Sequence, residues 1–332
     1  MSNVPLSVLD LASISAGDSI GQSLHNCVTT ARAAERLGYT RVWYAEHHNF
    51  ETIASSATAV LIAHVAANTT TIRLGSGGVM LPNHSPLVIA EQFGTLAELH
   101  PGRIDLGLGR APGTDQTTVK ALRRDPRGAE TFAQDVQELQ GFLSDTSLVP
   151  NVIATPGKGT HVPLYILGSS LFGAQLAALL GLPFAFASHF APEHLLSAAR
   201  IYRERFTPSE QLQQPHMMAS INVIAADTDE SAQSQLQTRR RSFTRGLYSR
   251  QGHTLTDDQV EQLLNDPRGA HVDQMLTYSA VGTPEVVKTY VENFQSAINA
   301  DEIITVHHCD SSDNRVRSLE LLAEVSGLLI RQ

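Results

Sequence analysis

Apolar positions along the chain form short continuous runs that alternate with longer stretches of helical period. Leu6-Ser7-Val8-Leu9-Asp10-Leu11 reads as a first strand, and residues 19–38 as a helix stopped at Gly38. Arg41-Val42-Trp43-Tyr44-Ala45 is a second strand, followed by an alanine-rich helix over 55–69. Ile72 opens a third strand that enters the glycine turn Gly75-Ser76-Gly77-Gly78, and helix 86–99 leads to a fourth strand from Arg103 to Gly109. Strands two, three and four begin at Arg41, Ile72 and Arg103, a constant step of 31 residues without repeated identity.

Loop chemistry and a helix over 129–143 come next. Further strands are predicted at Pro163–Gly168, Pro183–His189, Met217–Ala226 and Glu302–Val306. Helices are predicted over 169–180, 192–206, 229–245, 283–300 and 314–330, the fourth starting at Thr283-Pro284. Residues 246–274 show no clear period and are the candidate insertion, or lid. Eight strands alternating with helices predict an α/β fold: a (β/α)8 TIM barrel, one domain over 1–332, with an insertion between strands seven and eight. No GxGxxG follows strand one, which argues against an open dinucleotide-binding sheet.

Composition refines this only slightly. A hydrophobic content of 42% supplies one large core. The net charge of −9 argues against nucleic acid or an anionic membrane as a partner, and leaves room for a local phosphate site. No apolar run approaches the ~20 residues of a membrane span. No basic-then-apolar leader opens the chain, and Cys27 and Cys309 make no disulfide framework. A soluble cytoplasmic protein is the expectation.

Candidate chemistry gathers where strands end. His47 and His48 follow strand two, on the face where barrels place catalytic groups. A histidine there is a proton donor, proton acceptor or metal ligand, or simply a hydrogen-bonded loop residue. Neighbours in extended chain point to opposite sides, so the pair does not share one ligand, and a metal is disfavoured. Gly77-Gly78 is either a tight turn or backbone lying flat against a planar ligand. Arg110, ending strand four, either pairs with a surface carboxylate such as Asp115 or offers a fixed fork to a phosphate. Gly168-Ser169-Ser170 is an ordinary helix cap or a source of N–H groups and hydroxyls for an anion. Arg110 and Ser170 lie on consecutive βα loops and are placed to clasp one phosphate. His307-His308-Cys309 reads as structural or rim, and Arg239-Arg240-Arg241 as a solvated helix face.

Four stretches carry a resemblance: Ala45-Glu46-His47-His48-Asn49, Leu74 to Pro86, Gly102 to Gly113, and Leu167-Gly168-Ser169-Ser170. Together they resemble the bacterial-luciferase-like flavin monooxygenases, more closely the YhbW-type branch than luciferase itself. The likeness runs from Leu6 to about Phe190 and returns at Gly282-Thr283-Pro284 and in the last strand. It implies a dimeric TIM barrel, most simply a homodimer, that binds FMN at the strand C-termini. Helices 55–69 and 86–99, both rich in small or apolar residues, are the candidate dimer faces. By the same resemblance, Arg110, Ser169 and Ser170 hold the FMN phosphate, and Gly77-Gly78 is a non-proline cis peptide under the isoalloxazine. His47 is the implied catalytic histidine. The implied reaction uses reduced FMN and O2 to oxygenate a small organic substrate, with electrons from a separate NAD(P)H:flavin reductase. Gly109 stands where luciferase carries a reactive cysteine, so light emission is not implied. Two rival readings are a non-catalytic flavin-sequestering barrel and a metal-dependent barrel hydrolase.

Overall fold

The computed structural model describes residues 4–15, 17–249 and 255–328. In chain order its strands are β1 Leu6–Asp10, β2 Arg41–Tyr44, β3 Arg73–Met80, β4 Ile104–Gly109, β5 Leu164–Gly168, β6 Phe184–Phe186, β7 Met217–Ala225, β8 Ser279–Gly282 and β9 Glu302–His307. Every pairing is parallel. Consecutive strands pair from β1 to β7, and β9 closes the ring by pairing with both β7 and β1. The result is an eight-stranded TIM-type barrel inside a layer of helices. The predicted eighth strand is β9. The ninth strand, β8, was not predicted; it lies outside the ring against the far end of β7, from Asn222 to Ala225. Four residues are too few to show an alternation.

Helices α1 (Ile20–Leu37), α2 (Thr58–Ala66), α3 (Pro86–Leu99), α4 (Gln116–Ala121), α5 (Phe132–Leu143), α6 (Leu171–Leu180) and α7 (Leu195–Arg205) follow the first six strands. The long connection from β7 to β9 holds α8 (Asp229–Tyr248), α9 (Asp257–Leu264), α10 (Pro267–Met275), β8 and α11 (Pro284–Ile298), and α12 (Ser312–Ser326) ends the fold. The segment 246–274, expected to lack period, therefore contains the end of α8 and two helices packed on it. Its residues 250–254 lie outside the described ones, as do residues 329–332 at the predicted end of the last helix. Local chemistry sets the helix limits. The Ser19 hydroxyl accepts from Gln22 N at 3.1 Å to start α1, and Gly38, at φ +84°, stops it. Among the described residues no helix is long and apolar enough to cross a membrane. Outward-facing Val60 of α2, and Val88 and Leu99 of α3, are exposed on the helices expected to meet a second copy.

Strand alternation divides the core. Val42, Tyr44 and Ile303 face the helices, whereas Leu9, Trp43, Tyr165, Met218 and Ile304 pack inside the barrel. Beneath that apolar layer lies a buried polar floor. Arg41 Nη1 donates to Asp105 Oδ2 at 2.8 Å and to the Tyr165 hydroxyl at 2.7 Å, and Nη2 donates to Glu302 Oε2 at 3.1 Å. Trp43 Nε1 donates to Asp105 Oδ2 at 3.1 Å, Arg73 Nε to Asp105 Oδ1 at 3.1 Å, and the Ser7 hydroxyl to Glu302 Oε1. Burial alone would raise the Glu302 carboxyl; Arg41, His216 and Ser7 outweigh it and hold it below the usual carboxylate range. Removing one partner of such a network leaves uncompensated buried charge, at a typical cost of about 3–5 kcal/mol. Arg41→Met is expected to lose stability on that scale in urea unfolding. A loss under about 1 kcal/mol, the level of a surface pair, would show that the floor does not hold the barrel together.

Candidate active site

The inward rows of the strands continue past their C-terminal ends into the mouth of the barrel. The row Arg41, Trp43, Ala45 of β2 leads to His47, and the row Ile304, Val306 of β9 leads to His308. β3 shifts register between Ser76 and Val79, and the Gly77–Gly78 peptide within that shift is cis. The need for glycine here comes from the barrel wall. A Cβ on Gly77 would lie 2.7 Å from Leu9 Cδ1, and one on Gly78 would lie 2.9 Å from the Gly107 carbonyl oxygen. The glycines expected in a turn after the third strand lie within β3, and the atoms that crowd them belong to the protein.

Glu46 organises the loops around His47. Its buried carboxylate receives His48 Nε2 at 2.9 Å, His84 Nε2 at 2.9 and 3.0 Å, Met80 N at 3.1 Å and Asn83 Nδ2 at 3.4 Å. Burial would raise its pKa, but these donors, His48 and His84 first, bring it down to about 2. So heavily engaged a carboxylate serves as an anchor and not as a base. His47 is the reverse case. Its backbone N–H donates to Ser55 O at 3.0 Å and its ring stands edge-on to Phe50 at 5.6 Å, while Nδ1 is buried without a partner. Burial pushes its pKa below the ordinary value despite the neighbouring Glu46 charge, so it is a neutral imidazole with one nitrogen to offer.

The phosphate-type corner lies between β4 and β5. Arg110 is exposed, and its guanidinium carbon sits 4.3 Å from the ring centroid of Phe172, in the first turn of α6. It does not pair with Asp115, which caps α4 by accepting from Thr117 N at 2.8 Å and Thr118 N at 3.0 Å, and also binds Asn49 Nδ2 at 2.9 Å. The surface-pair reading of Arg110 is thus corrected. Ser170 is the N-cap residue of α6, yet its hydroxyl makes no cap hydrogen bond, so ordinary capping does not use it either. Ser169 precedes it, half-buried. Stacking on Phe172 brings Arg110 to the end of α6 where the free backbone N–H groups emerge.

His189, Asn222, Arg239 and Glu46 were given no role from sequence. His189 follows β6 just as His47 follows β2, and its Nδ1 meets Ser220 Oγ at 2.7 Å. Arg239 corrects the reading of a solvated arginine face: it is half-buried, whereas Arg240 and Arg241 pair with Asp273 and Glu261. The buried face of α8 runs through Ala232 and Gln235, and helical spacing from these reaches Arg239, a signal present in the sequence. His307 points out of the barrel to Ser318 Oγ at 2.8 Å and is structural. Among the described residues no three His, Cys, Asp or Glu side chains converge as metal ligands.

A barrel with a histidine and an unpaired arginine at its mouth defines a ligand-binding α/β enzyme fold, and comparison supplies the family. The chain belongs to the luciferase-like monooxygenases, whose family model matches residues 4–299. A luciferase-like monooxygenase of Escherichia coli (strain K12) is 46% identical over 98% of this chain and 98% of its own length. The N-acetyl-S-alkylcysteine monooxygenase of Bacillus subtilis (strain 168) is 33% identical over 87% of this chain and 80% of its own. The crystal structure of apo-MsnO8 matches with a TM-score of 0.88 at 34% identity, covering 99% of this chain and all of that one.

The Glu46 carboxyl, ordinarily near 4.5 and here about 2, contributes stability that is fully present above pH 4.5 and lost as pH falls toward 2. A shift of this size corresponds to about 3 kcal/mol. Glu46→Gln is therefore expected to be less stable than wild type by an amount of that order at pH 7. Urea midpoints followed downward in pH should converge between pH 4.5 and 2. A gap that stays constant down to pH 2 would show that Glu46 carries no charge in the folded protein.

Proposed function

We propose that this chain is an FMN-dependent monooxygenase that uses reduced FMN and O2 to oxygenate a small organic substrate. The family uses reduced flavin, and here the supporting observation is the β4–β5 corner. The Arg110 guanidinium, with no ion-pair partner among the described residues, lies over Phe172 in the first turn of α6, the helix whose N-cap residue, Ser170, leaves its hydroxyl unused. A phosphate dianion suits that donor set, through a fixed guanidinium fork, hydroxyls and helix N–H groups. Arg110, Ser169 and Ser170 would hold the phosphate of FMN, and the Gly77-Gly78 segment would border its ring. The cofactor supplies the reaction with dioxygen, which no amino-acid side chain provides. His47, neutral and with Nδ1 free, accepts and returns a proton at the barrel mouth. Glu46 keeps the flanking loops closed around it, so that water enters less freely. Electrons come from a separate flavin reductase, in keeping with the missing dinucleotide fingerprint. The Bacillus relative acts, by its name, on an N-acetyl-S-alkylcysteine, and a small oxidisable molecule of that kind is the substrate class the relationship suggests.

Arg110→Ala should weaken FMN binding by roughly tenfold or more, the effect of losing a charged bidentate contact, and leave riboflavin binding unchanged. Equal losses for both flavins, read by fluorescence titration, would remove Arg110 from the phosphate site. His47→Ala should keep FMN affinity and release hydrogen peroxide faster when its complex with photoreduced FMN meets oxygenated buffer. Wild-type peroxide release at the rate of free reduced FMN would favour a sequestering protein over an enzyme.

A further inference from the structure

The run Arg239-Arg240-Arg241 on α8 divides its three cations unequally. Asp273 holds Arg240 with both oxygens at 2.8 Å, and Glu261 accepts from Arg241 at 2.5 Å. No carboxylate among the described residues pairs with Arg239. Its Nε is buried and unbonded, and its guanidinium carbon lies 4.6 Å from the ring centroid of Phe243, one turn along the helix. Burial alone lowers its pKa to about 10, so it remains charged at neutral pH. Buried charges are ordinarily paired, because an uncompensated one is costly.

His189 and His308 follow the C-terminal ends of β6 and β9, and Asn222 lies in β7. Arg239 extends the buried face of α8 that runs through Ala232 and Gln235, and burial together with its guanidinium holds both imidazoles neutral. The Ser220 hydroxyl donates to Phe186 O at 2.9 Å, so in the 2.7 Å contact between His189 Nδ1 and Ser220 Oγ the histidine is the donor. Burial brings the His189 pKa to about 3, and the neutral ring then carries its lone pair on Nε2. Asn222 donates Nδ2 to His189 O at 2.7 Å and leaves Oδ1 buried and unbonded. The unbonded Nε2 of His308 has a simpler account. It borders a cavity of about 10 Å³ shared with Asp10, Thr30 and Arg315, at the lower limit for one water.

We propose that Arg239 receives a compact anionic group of the substrate, a carboxylate or sulfonate, on the β7–β9 side of the mouth. His189 Nε2 and Asn222 Oδ1 accept from a hydroxyl or amide N–H of the same molecule. This assignment rests on the monooxygenase reading and names its substrate class. The strand order supports separate roles for the two arginines. Arg110 follows β4, whereas His189 follows β6, Asn222 lies in β7, and Arg239 is on α8, the helix after β7. One anion site thus serves the cofactor phosphate and the other remains for the substrate. An anion at Arg239 has a second conceivable source, the ring of reduced flavin, and the test separates the two.

Calorimetric titration of the flavin-free chain with hexanoate, hexanesulfonate and hexanamide needs neither turnover nor cofactor. Both anions are expected to bind wild type at least tenfold more tightly than the neutral amide, the scale of a charged hydrogen-bonded contact. Arg239→Met should erase that preference and Arg239→Lys should keep part of it. Because Arg239→Met removes an unpaired charge, the ligand-free variant should unfold at no lower temperature than wild type. Equal binding of hexanoate and hexanamide, or no hexanoate binding at millimolar concentration, overturns the proposal. So does a variant that fails to fold, which would make Arg239 structural. Loss of photoreduced-FMN affinity in Arg239→Met with hexanoate binding intact would assign the arginine to the flavin ring instead. Failure of wild type to bind FMN at all would overturn the cofactor reading while leaving these titrations interpretable.

Discussion

The barrel depends on one guanidinium. Arg41 rises from β2 into the floor and there meets Asp105 of β4, Tyr165 of β5 and Glu302 of β9, while Ser7 of β1 and Arg73 of β3 complete the coordination of the two carboxylates. Six of the eight ring strands are thereby tied through one polar cluster. Apolar packing is nondirectional and tolerates slippage between strands, whereas a charge network of this kind is satisfied in one register only. Parallel pairing places Arg41 beside Arg73 and Trp43 beside Gly75, which in turn lies beside Asp105, so the floor residues come from neighbouring rungs of the ladder.

Polar groups at the two ends of the same barrel are treated oppositely. On the floor, the Asp105 and Glu302 carboxylates both have cationic partners. Beyond the floor, His47 Nδ1, Asn222 Oδ1 and Arg239 Nε are buried without hydrogen-bond partners, and Arg110 meets an aromatic ring and no carboxylate among the described residues. Folding alone gives no return for burying unpaired donors and acceptors, since each costs of order 1–3 kcal/mol. His47 and Asn222 are two such groups near the strand ends; others, such as Ser23, Thr30 and Arg203, lie on helices outside the barrel. Glu46 lies between the regimes: it is fully satisfied, yet its partners come from the loops after β2 and β3, so it turns two separate loops into one rigid rim.

Much of this was legible in the sequence. The alternation of strand and helix, the 31-residue step and the capping residues Ser19, Gly38 and Thr283-Pro284 led directly to the barrel, because each depends on local chemistry. His47, Arg110 and Ser170 stood out because barrel sites gather at strand ends. The same rule reached Ser188-His189 at the end of a predicted strand without being applied to it. β8 escaped because four residues carry no period, and its partner, the overhanging end of β7, exists only once the barrel is closed. Arg239 was misplaced because three adjacent arginines resemble a solvated face. Only tertiary packing distinguishes the two that find carboxylates on α9 and α10 from the one that finds none.

That difference bears on how a chain of net charge −9 admits an anionic ligand. Summed over the molecule the field repels anions, and at physiological ionic strength it is screened within about 8 Å. Among the described residues Arg110 and Arg239 lack carboxylate partners, while Glu46, the acid beside His47, is surrounded by imidazole and amide donors. Low-dielectric walls reduce screening further, so the local sign prevails over the global one. A phosphate at one wall and a smaller anion at the other would leave the uncharged part of the second molecule spanning the centre of the mouth. His47 stands there with its unbonded nitrogen. On the function proposed above, the charges that bind and the neutral group that moves a proton are separate side chains.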